Sequence, residues 1–304
     1  MRSLAPIVFF AYDRPDHTRQ ALESLHQNRL ADESSLWIYI DGPKPGASEA
    51  SKAAIEEVKK VVREKKWCKE VFINEAASNK GLIRANLDGV TKAVNEYGKV
   101  IAMEDDGLVS PGFLTYMNDA LDFYENNSRV MHVSGYSRPE FDTVDVQEPT
   151  YFFYHTTTWG WGTWKRAWDK FIFDPLAVRN ALKKKGNIHK LNMDDTFEFY
   201  WGLKAVAQGK FQSWNTLWHS IVFLNDGLCL YPRRSLVSNI GHDGSGTNCV
   251  PDDRFRVDGL ADEIKVTAIP LIEHPEVRSS YVKLYSLKYR IVFMLKHYLK
   301  YLMR

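Results

Sequence analysis

An apolar run, Val100-Ile101-Ala102-Met103, ends in three consecutive carboxylates, Glu104, Asp105 and Asp106. Pro111 and Gly112 follow shortly, and apolar residues then recur at helical spacing through Phe113, Leu114, Met117, Leu121 and Tyr124. The run predicts a buried strand, and the segment after Pro111 predicts a helix. Adjacent acids at the end of an interior strand repel one another and lose solvation, so a cation, hydrogen bonds or water must compensate them. A hard divalent metal carrying a diphosphate would do so, because Mg2+ and Mn2+ prefer oxygen ligands and keep positions open for phosphate. A solvated acidic turn is the competing reading, and the preceding strand weighs against it.

The chain on the N-terminal side repeats this unit. Ala5 to Tyr12 reads as a buried strand, and Asp13-Arg14-Pro15 opens a helix with Ala21, Leu22 and Leu25 on one face. Leu36 to Ile40 is a second strand, stopped by Asp41-Gly42-Pro43, and Ile55, Val58, Val61 and Val62 mark the next helix. Val71 to Ile73 is a third strand. Asn79-Lys80-Gly81 starts a helix carrying Ile83, Leu87, Val90 and Val94, and Val130 to Val133 is a fifth strand after the acidic one. Strands alternating with helices of this length predict an α/β fold with a mainly parallel sheet flanked by helices. In such sheets ligands bind beyond the carboxyl ends of the strands, which would align Asp13-Arg14, Asp41-Gly42, Asn74-Glu75 and the acid triplet along one rim.

Beyond about residue 140 the alternation weakens and aromatics crowd into Tyr151 to Tyr154, Trp159-Gly160-Trp161 and Trp164. Asp194-Asp195-Thr196 reads as a helix N-terminus, and Trp214 to Tyr231 as a further strand and its approach. Asn239 to Asn248 is a Gly-rich polar loop. With no repeat and no clear linker, one domain over 1–275 is expected, with a nucleotide-binding half (1–140) and an acceptor-binding half (141–275). A tail over 276–304 follows. From Arg278 to Arg304 the chain carries Lys and Arg at 278, 283, 288, 290, 296, 300 and 304, no acid, and an apolar stripe through Leu284, Leu287, Ile291, Leu295, Tyr298 and Leu302. That pattern predicts a basic amphipathic helix, packed on the body or lying on an anionic membrane surface.

A net charge of +2 gives no global argument for nucleic acid. Three cysteines without metal spacing suit a reducing compartment, and no spanning segment is evident. The expected location is therefore cytoplasmic, with peripheral attachment to the inner membrane face if the tail binds lipid.

In this order, Asp13-Arg14-Pro15, Asp41-Gly42-Pro43-Lys44, Asn79-x-Gly81 with Arg84, and Glu104-Asp105-Asp106 with Pro111-Gly112-Phe113 resemble nucleotide-sugar glycosyltransferases of the GT-A fold. The acidic signature is similar to that of the Golgi N-acetylglucosaminyltransferase that begins N-glycan branching. Residues 5–250 are more similar to bacterial sugar transferases of surface-polysaccharide loci, which share the Trp-Gly-Trp-x-x-Trp and Asn-Ile-Gly-x-Asp-Gly-Ser-Gly-Thr segments. The resemblance implies a Mn2+ or Mg2+ ion on Asp106, Asp105 at the ribose or a metal-bound water, and Glu104 at the sugar or nucleotide. It also implies Arg14, Asp41 and Asn79 near the nucleotide and Arg84 at the diphosphate, where a helix N-terminus favours anions. Ser245 and Thr247 would donate to phosphate from a glycine-rich loop able to close over the donor. Trp159 and Trp161 would offer a platform to a sugar face, with core packing the alternative for each.

The implied partners are a nucleotide-sugar donor and a saccharide or lipid-linked saccharide acceptor. An inverting transfer needs a carboxylate to deprotonate the acceptor, and Asp195, in an acidic pair expected to open a helix, is the candidate. The stretch similar to the Golgi enzyme's base site, Gln212-Ser213-Trp214, has glutamine where a base would stand. Two other functions fit parts of the pattern. A nucleotidyltransferase is disfavoured because Phe10 to Pro15 lacks glycine, and a non-catalytic carbohydrate-binding protein is disfavoured by the intact acid triplet.

Overall fold

The computed structural model describes residues 3–139, 144–210, 213–245 and 255–286. In its first half, β1 (Ile7–Ala11), α1 (Pro15–His26), β2 (Ser35–Ile40), α2 (Glu49–Val61), β3 (Glu70–Glu75), α3 (Leu82–Tyr97) and β4 (Lys99–Glu104) alternate as expected. A short β5 (Gly107–Val109), α4 (Phe113–Phe123) and β6 (Val130–Ser134) follow. The remainder comprises β7 (Thr150–Phe153), β8 (Trp161–Trp164), α5 (Lys165–Trp168), α6 (Pro175–Lys185) and α7 (Ile188–Leu191). It continues through α8 (Phe199–Ala207), α9 (Trp214–Leu224), β9 (Leu228–Pro232), β10 (Val237–Asn239) and α10 (Pro275–Tyr285).

Eight strands form one sheet in the order β3-β2-β1-β4-β8-β6-β9-β7. The β3-β2-β1-β4 block is parallel throughout, β6 and β9 are also parallel, and β7 and β8 run antiparallel to their neighbours. Continuous apolar strands arise because both faces are covered. Ile7 and Phe9 belong to a core built with α1, α2 and α4, whereas Val8 and Phe10 belong to one built with α3, α5, α6, α8 and α9. The two-residue alternation of a strand thus divides the interior into two layers. Burying each large aliphatic side chain, such as Leu22 or Val94, contributes roughly 1.5–3 kcal/mol.

Two features set the site. Gly98 takes φ +78° and its N–H donates to Val94 O, so α3 stops and β4 starts one residue later. After Asp106 the chain leaves the sheet as β5, which pairs antiparallel with β10, Asn239 lying opposite Gly107. This ribbon carries the Gly-rich loop back to the acids across more than a hundred residues.

Two local expectations are corrected. The segment approaching β9 is a helix, α9, capped by the Ser213 hydroxyl accepting from Thr216 N–H. Asp194 and Asp195 do not open a helix. With Met193 they form a left-handed turn (φ 50°, 54° and 60°), and α8 begins only at Phe199. The described part of the basic tail, α10, turns Val277, Tyr281 and Leu284 inward, Tyr281 meeting Phe153 at 5.0 Å. The rest of the expected amphipathic helix, 287–304, lies outside the described residues. Among the described residues no helix is long and apolar enough to cross a membrane.

Candidate active site

β4 delivers Glu104 beside Phe10 of β1, and the turn after it buries Asp105 and Asp106. Arg14 is the residue before Pro15 at the start of α1. Its carbonyl accepts from both the backbone N–H and the hydroxyl of Thr18, which fixes its backbone. From there its Nη2 donates to Asp105 Oδ1 and to Asp106 Oδ2, the latter at 3.1 Å. Burial works against the Arg14 charge, but Asp105 and then Asp106 more than offset it and raise its pKa. Glu104 is pushed up to about 8 by burial and then by Asp106 and Asp105. Asp105 is pushed up to about 6 by burial, with Arg14 opposing. Burial and mutual repulsion thus make the triplet resist carrying its full negative charge even beside Arg14.

The loop after β10 closes against this pair. Ile240 N–H donates to Asp106 O, and a Cβ built on Gly241 would lie 2.2 Å from Asp106 Oδ2 and 2.9 Å from Arg14 Nη1. Only glycine permits that approach. His17, three residues beyond Arg14 on α1, reaches Asp243 at 3.1 Å and ties the loop down. Asp243 Oδ1 in turn accepts from the backbone N–H and the hydroxyl of Ser245, so the Ser245 hydroxyl serves the loop itself. Thr247 lies outside the described residues. His17 and the contact role of Gly241 escaped the sequence reading. The one signal for His17 was its place one turn after Arg14 on the same helix face.

Asp41, at the end of β2, acts as a tie. Its Oδ1 accepts from Gly42 and Lys80 N–H and its Oδ2 from Gly81 N–H, while Asn79 Nδ2 donates to Gly42 O. These bonds clamp the β2 end to the entry of α3. Arg84, in the first turn of α3, is exposed and lies 5.4 Å from the Phe173 ring. No contact among the described residues joins Asp41, Asn79 or Arg84 to the triplet.

The two tryptophans of the Trp-Gly-Trp segment part company. Trp159 is half-buried and packs edge-on to Tyr136 at 4.8 Å and to His242 at 5.7 Å, beside the loop. Trp161 lies within β8, 1% exposed, stacked on His132 and against Trp214, so it cannot face a sugar. The intervening Gly160, at φ +60°, turns the chain between them. Asp195 is far more open: its side chain is 65% exposed, and its Oδ2 sits 2.8 Å from His189 Nδ1. Its neighbour Asp194 is held by Arg278 of α10 at 2.5 Å.

The residues fit a divalent ion bound jointly with its ligand. Asp106 Oδ1 is a buried carboxylate oxygen with no hydrogen-bond partner among the described residues, the kind of orphaned acceptor a hard cation satisfies. Among the described residues no three His, Cys, Asp or Glu side chains converge to hold an ion by themselves. An ion here would therefore complete its shell from diphosphate oxygens and water, as Mg2+ usually does.

No family model and no curated protein matches the chain. Solved structures do. A crystal structure of S. aureus TarS 1-349 is 11% identical over 77% of this chain with a TM-score of 0.43, and the match spans 60% of that fragment. GalNAc-T7 with UDP, GalNAc and Mn2+ is 11% identical over 77% of this chain and 43% of its own, with a TM-score of 0.44. The galactosyltransferase LgtC, in complex with donor and acceptor sugar analogues, is 12% identical over 74% and 72%, with a TM-score of 0.33.

Proposed function

We propose that the protein transfers a sugar from a nucleotide-sugar donor, with a Mn2+ or Mg2+ ion held by Asp106 and Asp105. The observation that carries this reading is the partnerless, buried Asp106 Oδ1 at the carboxyl end of β4, in a sheet whose rim is the usual place for ligands. The ordered sequence motifs support it. When bound, the ion would stabilise the negative charge that develops on a departing diphosphate. The chain's own groups do the rest. Arg14 offers a guanidinium to phosphate, and the loop from Asn239 to Ser245 excludes water over the triplet. Asp195 accepts the acceptor hydroxyl proton as that oxygen bonds to the anomeric carbon. The bond from that carbon to the diphosphate oxygen breaks, its electron pair leaves with the nucleotide, and configuration inverts. The acceptor class, a saccharide or lipid-linked saccharide for a surface polysaccharide, rests on sequence resemblance. Attachment of 287–304 to an anionic membrane rests on its charge pattern.

The test is a panel of nucleotide sugars assayed for transfer and hydrolysis with and without Mn2+. Asp106→Ala should keep the fold and lose metal-dependent nucleoside diphosphate binding in calorimetry. Unchanged metal-dependent affinity in the folded variant sinks the assignment.

A further inference from the structure

We infer that Arg14 is the protein's resident counter-ion for the acid triplet, a cation that a divalent metal must displace, so that the metal binds with its anionic ligand and not ahead of it. This rests on the reading of Asp105 and Asp106 as metal ligands and adds an order of events to it.

The geometry carries the inference in three parts. First, Arg14 Nη2 bridges Asp105 Oδ1 and Asp106 Oδ2, which is the space between two carboxylates that an ion shared by them would enter. Second, the bridge is enclosed. The Arg14 side chain is 18% exposed and the two carboxylates 6% and 9%, and Gly241 lies so near that a Cβ on it would collide with Asp106 Oδ2 and crowd Arg14 Nη1. Two ions in so enclosed a position compete strongly, because water screens them little. Third, among the described residues a metal arriving alone finds one partnerless buried oxygen, Asp106 Oδ1, and no set of three protein ligands.

Expelling Arg14 for a bare metal would strand a guanidinium in a poorly solvated place, which is unfavourable. A diphosphate removes that penalty. The carboxylates exchange Arg14 for the metal while Arg14 exchanges the carboxylates for phosphate, to which its planar fork is suited. Every charge remains paired, and metal and diphosphate each raise the other's affinity, as linkage requires.

The experiment uses Mn2+ alone on the full chain, with free Mn2+ read by its electron paramagnetic resonance signal and folding by circular dichroism. Wild type should bind Mn2+ weakly. Arg14→Gln, which removes the charge, should bind it about tenfold more tightly or better, within the usual range of such couplings. Arg14→Lys should fall between the two, since an ammonium is a point charge that cannot span both carboxylates as well. Arg14→Gln combined with Asp106→Asn should lose the gain. Equal or weaker Mn2+ binding by folded Arg14→Gln overturns the inference, as does a gain that survives Asp106→Asn. If Arg14→Gln does not fold without metal, Arg14→Lys decides, and wild-type affinity there is equally fatal. No nucleotide is present, so a chain that behaves as expected here yet processes no nucleotide sugar loses the proposed function and keeps this one.

Discussion

The β3-β2-β1-β4 block and the strands β6 to β9 share one sheet but treat their buried acids and histidines differently, although Arg138, buried beside the Tyr281 ring, keeps a cation in the second. The first block gathers them at the strand ends as charges with partners: Arg14 on Asp105 and Asp106, and Asp41 on three backbone N–H groups. The second buries histidines as neutral rings among aromatics. His132 stacks on Trp161 at 5.3 Å and accepts from Trp218 Nε1, and His155 lies between His219 and Tyr281. Burial lowers His132 and His219 to about 3, and burial, then His219, drives His155 well below the ordinary range. Charge kept at a rim can be traded for a ligand's charge, whereas histidines kept neutral in a core build a packed wall. The first block is therefore suited to hold an ionic donor, and the second to build a rigid surface beside it.

The largest expected effect tests whether the second block contributes any ionic chemistry. Its candidate, Asp195, stands on the surface in the left-handed turn with His189. Asp195→Asn should lower turnover by about 10²–10⁴-fold while sparing donor binding, the usual range for a lost general base. Turnover like wild type, or a product of retained configuration, would leave the second block as wall alone and move the base elsewhere.

The contrast also explains what the sequence made legible. β1, β2 and β4 are apolar runs stopped by polar residues, and local period and punctuation suffice to place them and to put the triplet on the rim. Four features were not local. Trp159 and Trp161 are both tryptophans flanking one glycine, and only the pairing of β8 with β4 and β6 decides which is enclosed. The Gly241 contact depends on β5 meeting β10, a pairing with no signature in either segment. The turn at Met193 to Asp195 uses a conformation that Asp tolerates better than most residues but that a helix-cap pattern imitates. Asp41 reads as a ligand from its resemblance and as a backbone tie from its hydrogen bonds, because a buried acid at a strand end is the same sequence whether it faces a nucleotide or its own backbone.

A smaller effect sharpens the contrast through pH. In metal-free protein the two blocks respond to acid with opposite sign. Folded Glu104 and Asp105 hold protons more tightly than when unfolded, so falling pH stabilises the first block as it passes through about 8 and about 6. The three histidines take up protons near 6.5 only when unfolded, so stability from the second block is lost as pH falls from about 6.5 toward 3. Below 6.5 the three histidines that take up protons only on unfolding oppose the two carboxyl groups that hold them in the fold. Acid therefore removes net stability in that range. Melting temperature followed by near-ultraviolet circular dichroism should peak near pH 6.5 in the presence of a chelator. A flat profile from pH 8 to 5 would break the contrast.

The smallest expected effect separates two uses of charge within the first block itself. Asp106 leaves an oxygen without a partner, whereas Asp41 spends both oxygens on Gly42, Lys80 and Gly81 N–H. Asp41→Asn keeps an oxygen for two of these donors but turns an amide N–H toward Gly81 N–H, donor against donor, and removes the negative charge at the start of α3. Losing charge-assisted bonds of this kind costs about 1.5–3 kcal/mol. Asp41→Asn should therefore melt several degrees below wild type while keeping metal-dependent nucleotide affinity, the reverse of Asp106→Ala. Calorimetry on the two variants side by side decides it. If Asp41→Asn melts like wild type and binds nucleotide poorly, Asp41 faces the ligand as the sequence resemblance implied. The clamp would then be a consequence of its position rather than its purpose.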